Sequence, residues 1–232
     1  MTISGDNTSV IIAGASGLIG SHALKLLVME PAISHVYALS RSSLFDSSID
    51  QSKLTNIINA DLHINQWEET LPPPTLGLIC LGTTLKQAGS KEALRKVDVE
   101  LVCEVAQTMK LLGVERVAVV SSYGASTQSY SHYLRCKGNM EQNLMRMGFK
   151  QVLFMRPGPL TGERKQSRSD EQLLQKLMPI FSPFLLGKFK NLRPIAANDV
   201  AQAMLFKLFE NNYHPIEMCD STEMVNLLSK YR

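Results

Sequence analysis

A tyrosine and a lysine four residues apart, Tyr133 and Lys137, lie within the stretch SSYGASTQSYSHYLRCKGN at positions 121–139. On a helix, residues at this spacing project from one face. A cation within roughly 4 to 6 Å of a phenol favours its ionised form, which brings the group nearer to a pH where acid–base catalysis is effective. The pair is therefore either a catalytic acid with the cation that tunes it, or an amphipathic pair with a half-buried ring.

The other tyrosines of this stretch lack such a cation. Four residues beyond Tyr123 is Thr127, and four beyond Tyr130 is Leu134. His132 is next to Tyr133 in sequence but points about 100° away on a helix, so it is a poorer candidate for a base. The five histidines are scattered without ligand spacing, and no metal site is predicted.

A glycine triplet near the start, Gly14-x-x-Gly17-x-x-Gly20, directly follows an apolar strand pattern and opens an amphipathic helix. Glycines at these positions permit a tight turn and let backbone N–H groups approach a pyrophosphate at the helix N-terminus. The segment predicts a dinucleotide site. The expected contacts come from the loop and the first helical turn: Gly14, Ser16, Gly17, Leu18, Ile19 and Gly20.

The end of the second strand favours NADPH over NADH. Sites that prefer NADH usually place Asp or Glu about 20 residues beyond the loop, where it binds the ribose 2′-hydroxyl. Here that position reads Ser40-Arg41-Ser42, and the first acid is Asp46. A guanidinium can bind a 2′-phosphate through a charge-assisted fork, so Arg41 is the expected contact.

Short apolar runs alternate with longer amphipathic stretches, which is typical of βαβ units around a parallel sheet. We expect an α/β fold, a Rossmann-type doubly wound parallel sheet with a small, irregular, helical C-terminal substrate region. The chain of 232 residues is expected to form one NAD(P)-binding domain, with 158–197 and 213–232 as a substrate-side appendage. The strands are expected at 9–13, 35–40, 54–59, 75–81, 116–121 and 151–155, and the helices at 17–29, 91–112, 130–147, 170–178, from 198 or 199, and from 221.

Composition excludes several classes of protein. Hydrophobic residues make up 44% and charged residues 19% of the chain, which indicates an ordinary globular protein rather than a disordered one. A net charge of +3 is too small to indicate nucleic-acid binding. The four cysteines form no C-x-x-C pair, and the N-terminus has neither a basic nor an apolar targeting region. We therefore expect a cytoplasmic protein with no membrane span.

Further contacts to the nucleotide are expected where strands end, because ligands bind outside the carboxyl ends of parallel strands. Asp61 and Leu62 follow the third strand, where an adenine edge would lie. Leu81, Gly82 and Thr83 end the fourth, and Gly82 allows the backbone to approach the cofactor. Apolar residues of the C-terminal part line either the substrate pocket or the core: Phe181, Phe184, Leu185 and Leu186.

These motifs, in this order, resemble those of the short-chain dehydrogenase/reductases, in their extended and atypical branches. The matching set spans residues 9–205: the glycine triplet, Asp61-Leu62, Ser121-Ser122, Tyr133-x-x-x-Lys137, RPGPLTG from 156 to 162, and PIAANDVAQAM from 194 to 204. More narrowly, CLGTTLKQAGS, KVD, SSYGA and YLRCKGNME are similar to the Tat-interactive-protein branch, whose human member is described as an NADPH-binding metastasis suppressor.

The resemblance implies roles for individual residues. Tyr133 would protonate a carbonyl oxygen as hydride arrives from the nicotinamide, and Lys137 would tune the phenol and hold the nicotinamide ribose. A serine would hydrogen-bond the same carbonyl, with Ser122 preferred and Ser121 as the alternative. Pro157 would border the nicotinamide.

The chain departs from the family pattern at two points. Asp98 stands where many members carry an asparagine of a proton relay, and LGTT replaces an Asn-Ala-Gly-like turn. The first departure puts the relay in doubt.

Two functions follow. The first is an NADPH-dependent oxidoreductase that acts on a small carbonyl compound or its alcohol, since relatives that process sugar nucleotides have a larger C-terminal region. The second is an NADPH-binding regulatory or interaction protein with little turnover. A homodimer through 91–112 and 130–147 is compatible with the fold. The sequence identifies no protein partner.

Overall fold

The computed structural model describes residues 8–44, 51–64, 66–68, 70–161 and 191–230. The strands are β1 (Thr8–Ala13), β2 (Ile33–Ser40), β3 (Leu54–Ile58), β4 (Leu76–Ile79), β5 (Arg116–Val120), β6 (Gln151–Arg156), β7 (Leu160–Thr161), β8 (Ile195–Ala196) and β9 (Ile216–Asp220). The α-helices are α1 (Leu18–Met29), α2 (Leu85–Ala88), α3 (Lys91–Arg95), α4 (Val102–Leu111), α5 (His132–Met145), α6 (Ala197–Phe209) and α7 (Ser221–Ser229). A π-helical turn, Lys96–Leu101, joins α3 to α4.

Seven strands form one parallel sheet in the order β3-β2-β1-β4-β5-β6-β9. The chain runs outward from β1 to β3 and then returns to place β4 on the other side of β1. The order therefore reverses between β1 and β4, and ligands of such sheets bind in the crevice at this point. The predicted fold class, a Rossmann-type doubly wound sheet, is confirmed.

Both faces of the sheet are covered by helices, so its strands are apolar on both sides. One core lies beneath α1, α6 and α7, and the other beneath α4 and α5. Val10 and Ile12 of β1 point into the first core, whereas Ile11 and Ala13 point into the second. This explains why the strands read as continuous runs of Val, Ile and Leu.

Three parts of the chain differ from the sequence-based expectation or lie outside the described residues. The single helix expected over 91–112 is divided into α3, the π-helical turn and α4. Residues 216–220, within the stretch assigned to the appendage, form β9, which pairs with β6 as the seventh strand of the sheet. The helix expected at 170–178 lies outside the described residues.

Among the helices in the described ranges, none combines the length and the apolar character that a membrane crossing requires.

Candidate functional site

The glycine triplet forms the turn between β1 and α1. Gly14 has φ of 86°, and a Cβ there would lie 2.7 Å from the backbone carbon and oxygen of Cys80. A Cβ on Gly20 would lie 2.1 Å from the Gly14 carbonyl oxygen, while the Gly17 N–H donates to that same oxygen at 3.0 Å. Because backbone occupies the space that side chains would need, only glycine fits, and the N-terminus of α1 stays open to a phosphate.

The end of β4 lies beside this turn, since β1 and β4 are adjacent in the sheet. Leu81 and Thr83 are partly buried and Gly82 is exposed. A Cβ on Gly82 would be 3.3 Å from Asp98 Oδ1 and 3.4 Å from Lys137 Nζ. The structure therefore brings the end of β4 together with the predicted catalytic lysine.

Helix α5 carries the predicted acid and its lysine. It begins after Ser131, whose side chain accepts from the N–H of Leu134 as an N-cap. A Cβ on Gly138 would lie 2.3 Å from the Ser126 carbonyl carbon, so the helix packs directly against the backbone of the preceding loop. Tyr133 and Lys137 share one face, with Nζ 6.0 Å from the phenol ring centroid.

The Lys137 ammonium is buried and pairs with an equally buried carboxylate. Its side chain is 2% exposed, that of Asp98 is 0% exposed, and Nζ lies 2.7 Å from Oδ1. Nζ also donates to the Val120 carbonyl at 3.3 Å. Burial acts most strongly on this ammonium and would lower its pKa, but Tyr133 and Asp98 favour the charged form, and the pKa of Lys137 is raised overall.

The two serines at the end of β5 have different surroundings. Ser121 is buried, and its Oγ donates to Glu141 Oε1 at 2.6 Å. Ser122 is partly exposed, and within the described residues its Oγ makes a long 3.4 Å contact to the Tyr123 carbonyl. This arrangement leaves the Ser122 hydroxyl better able to bind a substrate. The catalytic roles of Ser122, Tyr133 and Lys137 remain predictions.

The carboxylate of Glu141 connects α5 to the ends of β5 and β6, a contact that the sequence analysis did not predict. Its carboxylate accepts Ser121 Oγ from β5 and two N–H groups of Arg156 from β6, Nε at 2.9 Å and the Nη2 group. The available signal was its spacing, because Glu141 lies four residues beyond Lys137 on the buried face of α5. An acid on such a face indicates a buried ion pair.

The remaining predicted contacts lie at the carboxyl ends of their strands. Arg41 is exposed after β2, where Ser40 Oγ donates to the Ser42 carbonyl at 2.6 Å and so shapes the turn. Asp61 is exposed and Leu62 is buried with φ of 58°. Pro157 is buried after β6, and its carbonyl accepts the Tyr123 N–H at 2.9 Å.

Two further predictions concern the pocket lining and metals. Phe181, Phe184, Leu185 and Leu186 lie outside the described residues. Within the described ranges, no group of three or more His, Cys, Asp or Glu side chains is arranged to hold a metal ion.

The family model described as HIM1 matches residues 52–186, which is more than half of the chain. Among curated proteins, "Protein fmp52, mitochondrial" of Emericella nidulans is 34% identical over 168 residues, 70% of this chain and 71% of its own. "Protein FMP52, mitochondrial" of Candida albicans is 31% identical over 203 residues, 85% of this chain and 86% of its own.

A solved structure, MoeE5 in complex with UDP-glucuronic acid and NAD, is also similar to this chain. It has a TM-score of 0.67 at 18% identity, over 98% of this chain and 82% of its own. At this identity the likeness shows the fold alone. None of these matches shows the Tat-interactive-protein branch.

The expectation of a cytoplasmic protein is wrong by this comparison, because the curated relatives are named mitochondrial. It rested on the absence of a targeting pattern near the N-terminus, which proved a poor guide. On the extent of the family match and the identity to its relatives, the chain belongs to the HIM1 family together with the fmp52 proteins.

Proposed function

We propose that the protein is an NADPH-dependent oxidoreductase that reduces a small carbonyl compound, or oxidises the alcohol in the reverse direction. One observation carries the proposal: Tyr133 and Lys137 lie on one face of α5, with Nζ 6.0 Å from the phenol ring, beside the crevice between β1 and β4. The glycine turn opens into the same crevice, where a Cβ on Gly14 or Gly20 would collide with backbone. This cradle fits a pyrophosphate.

The residues of the site would divide the reaction between them. A reduced nicotinamide bound in the crevice supplies the hydride. As the carbonyl carbon accepts it, the C=O π bond breaks and the oxygen takes the phenol proton of Tyr133. The Lys137 ammonium stabilises the phenolate left behind, and Ser122 Oγ donates to the substrate oxygen.

The test is a panel of aldehydes, ketones, quinones and UDP-glucose, assayed with NADPH and with NADP⁺ on the wild type and Tyr133→Phe. The variant should lose about 100-fold or more in kcat/KM, because general acid catalysis contributes about 10² to 10⁴. Its affinity for NADPH, measured by fluorescence, should remain within about threefold.

Tyr130→Phe is the matched control, because Tyr130 is fully exposed and has leucine, not lysine, four residues on. Its rate should equal that of the wild type. If the wild type binds NADPH but no compound is turned over, the regulatory alternative replaces the enzyme.

The preference for NADPH is tested at Arg41. The sequence has no acidic residue from Ala32 to Phe45, so no carboxylate of that stretch would repel a 2′-phosphate. Arg41→Ala should weaken NADPH binding about tenfold or more, in line with a charge-assisted hydrogen bond, and change NADH binding less than about twofold. The control is Arg146→Ala, because Arg146 is an exposed arginine at the C-terminal end of α5. If Arg41→Ala weakened the binding of NADPH and NADH equally, the assignment of Arg41 to the 2′-phosphate would be wrong.

The mitochondrial names of the relatives support a mitochondrial location for this chain as well. Fractionation of cells that express the full chain, followed by protease protection of the organelle fraction, tests this. Co-sedimentation with a mitochondrial matrix or membrane marker is expected, and recovery with a cytosolic marker would overturn it.

A further inference from the structure

We propose that Asp98 is a positioning residue that offsets the charge of Lys137 and thereby sets the alkaline limit of carbonyl reduction by Tyr133. The inference rests on the proposed function for its kinetic consequence, although its electrostatic part can be measured without turnover. It assigns a role to the acid that stands where the resemblance led us to expect a relay amide.

The π-helical turn places Asp98 in the site. A π-helical turn holds one more residue than an α-helical turn, and such insertions are frequent at functional sites. Here the turn spans Lys96–Leu101 between α3 and α4, and it buries Asp98 completely. Asp98 Oδ2 accepts the backbone N–H of Thr83 at 2.9 Å. This hydrogen bond ties the carboxylate to the end of β4.

The second carboxylate oxygen faces the lysine. Asp98 Oδ1 lies 2.7 Å from Lys137 Nζ, and this ion pair favours the charged form of the lysine. Gly82 leaves the space beside the pair open, since a Cβ there would approach both atoms at 3.3 and 3.4 Å. The pair is thus close and buried.

Other charged or titratable groups also face the pair. From α5, Tyr133, Glu141 and the Cys136 thiol lie close enough to influence Lys137 or Asp98. Glu141 is paired with Arg156, so its charge is largely offset locally. Arg135 of α5 and Arg95 of α3 also act on Cys136; Arg135 donates to the Ser129 carbonyl, and Arg95 is paired with Glu100. Asp98 is therefore the anion in direct contact with Lys137 in the described part of the chain.

Removal of this anion should increase the effect of the lysine on the phenol. A cation stabilises a nearby phenolate, and an anion 2.7 Å from the cation cancels much of that field. Burial opposes the charge on Lys137 once Asp98 is neutral, but Tyr133 also favours the charged lysine, so the ammonium is retained as the phenol ionises. Asp98→Asn keeps the shape and an oxygen that can accept the Thr83 N–H, but it removes the charge. The alkaline fall in the reduction rate should then move to lower pH by about one to two pH units.

Two measurements test the inference on the same proteins. The first is the pH dependence of kcat/KM for reduction in the wild type and Asp98→Asn. The second is the ultraviolet absorbance of tyrosinate during an alkaline titration, taken as wild type minus Tyr133→Phe and as Asp98→Asn minus the Asp98→Asn, Tyr133→Phe double variant. Both midpoints should move to lower pH by the same amount, and unchanged midpoints in either measurement would overturn the inference.

Glu100→Gln is the matched control, because Glu100 lies on the same π-helical turn and changes net charge equally, but pairs with the exposed Arg95. It should leave both midpoints within about 0.3 pH units, since an exposed charge is screened. A shift as large as that of Asp98→Asn would show a general charge effect and overturn the specific role.

A second variant keeps the inference testable if Asp98→Asn does not fold. Gly82→Ala places a methyl group against Asp98 Oδ1 and Lys137 Nζ, at a position whose φ is not left-handed, and should separate them. The tyrosinate midpoint should move in the same direction by a smaller amount, and no movement would overturn the inference. If no substrate is turned over but the titration midpoints shift, the proposed function fails while the role of Asp98 stands.

Discussion

Helix α5 buries two charged side chains one turn apart, and their surroundings differ. Glu141 accepts three hydrogen bonds, one from Ser121 and two from Arg156, in good geometry. Within the described residues, Lys137 has an ion pair with Asp98 at 2.7 Å and one hydrogen bond, 3.3 Å long, to the Val120 carbonyl. Both groups are almost fully buried, at 2% exposure each.

This difference in surroundings indicates a structural role for Glu141 and a chemical role for Lys137. A buried charge that is fully hydrogen-bonded holds its neighbours in place, and Glu141 thereby joins α5 to the ends of β5 and β6. An ammonium has three donors, so Lys137 can donate to a ligand in addition to its contacts with Asp98 and Val120. We interpret the Glu141 cluster as the support of the site and the Lys137 pair as the part that engages ligand.

The largest expected effect is the loss of stability in Glu141→Ala. The substitution leaves Arg156 without its counter-charge and Ser121 without its acceptor. Breaking a fully buried pair costs about 3 to 5 kcal/mol, and the lower end, about 3 kcal/mol, is expected because the Arg156 side chain is 22% exposed. Urea denaturation followed by circular dichroism measures it. Glu115→Ala, which breaks the exposed pair with Lys150, is the control and should leave the denaturation midpoint unchanged. If Glu141→Ala lost little stability, the interpretation of Glu141 as the support of the site would be wrong.

A smaller loss of stability, about 2 kcal/mol, is expected for Lys137→Met, because Asp98 keeps the hydrogen bond from the Thr83 N–H and methionine fills the volume of the lysine stem. NADPH affinity should fall about tenfold or more, while any Glu141 variant that folds should bind NADPH normally. The Lys137→Met, Asp98→Asn double variant should regain part of the lost stability but none of the affinity. If affinity were lost equally at Lys137 and Glu141, the division of roles would be wrong.

The smallest effects are expected at the two serines. Ser121→Ala removes one donor from the Glu141 cluster and should cost about 1 kcal/mol of unfolding free energy without much change in turnover. Ser122→Ala should leave stability within about 0.5 kcal/mol but reduce kcat/KM. Denaturation and steady-state assays on both variants provide the comparison, and the opposite pattern would assign the catalytic role to Ser121.

Much of the fold could be predicted from local patterns. The first strands and α1 have the predicted order and nearly the predicted ends, because apolar runs and a glycine turn are local signals. Strand β9 could not be predicted in this way. Its residues Ile216 and Met218 are exposed and only Cys219 is buried, so this edge strand lacks the continuous apolar run of the inner strands.

The contacts between site residues were harder to predict from the sequence than the positions of those residues. The spacing of Tyr133 and Lys137 placed them on one helical face. The pairing of Lys137 with Asp98, however, depends on the π-helical turn, which a prediction based on the 3.6-residue period of an α-helix does not include. The choice between Ser121 and Ser122 likewise depended on Glu141, a contact across 20 positions of the chain. Contacts of this kind arise from packing and not from local propensity.

The close contact at Gly138 has a consequence for how the site can vary. A methyl group there would lie 2.3 Å from the Ser126 carbonyl carbon and 2.4 Å from the Thr127 nitrogen, so any larger residue would push α5 off the loop. Tyr133 and Lys137 would move with the helix, although neither side chain is changed. The chemistry of the site therefore also depends on a residue that has no side chain to contribute.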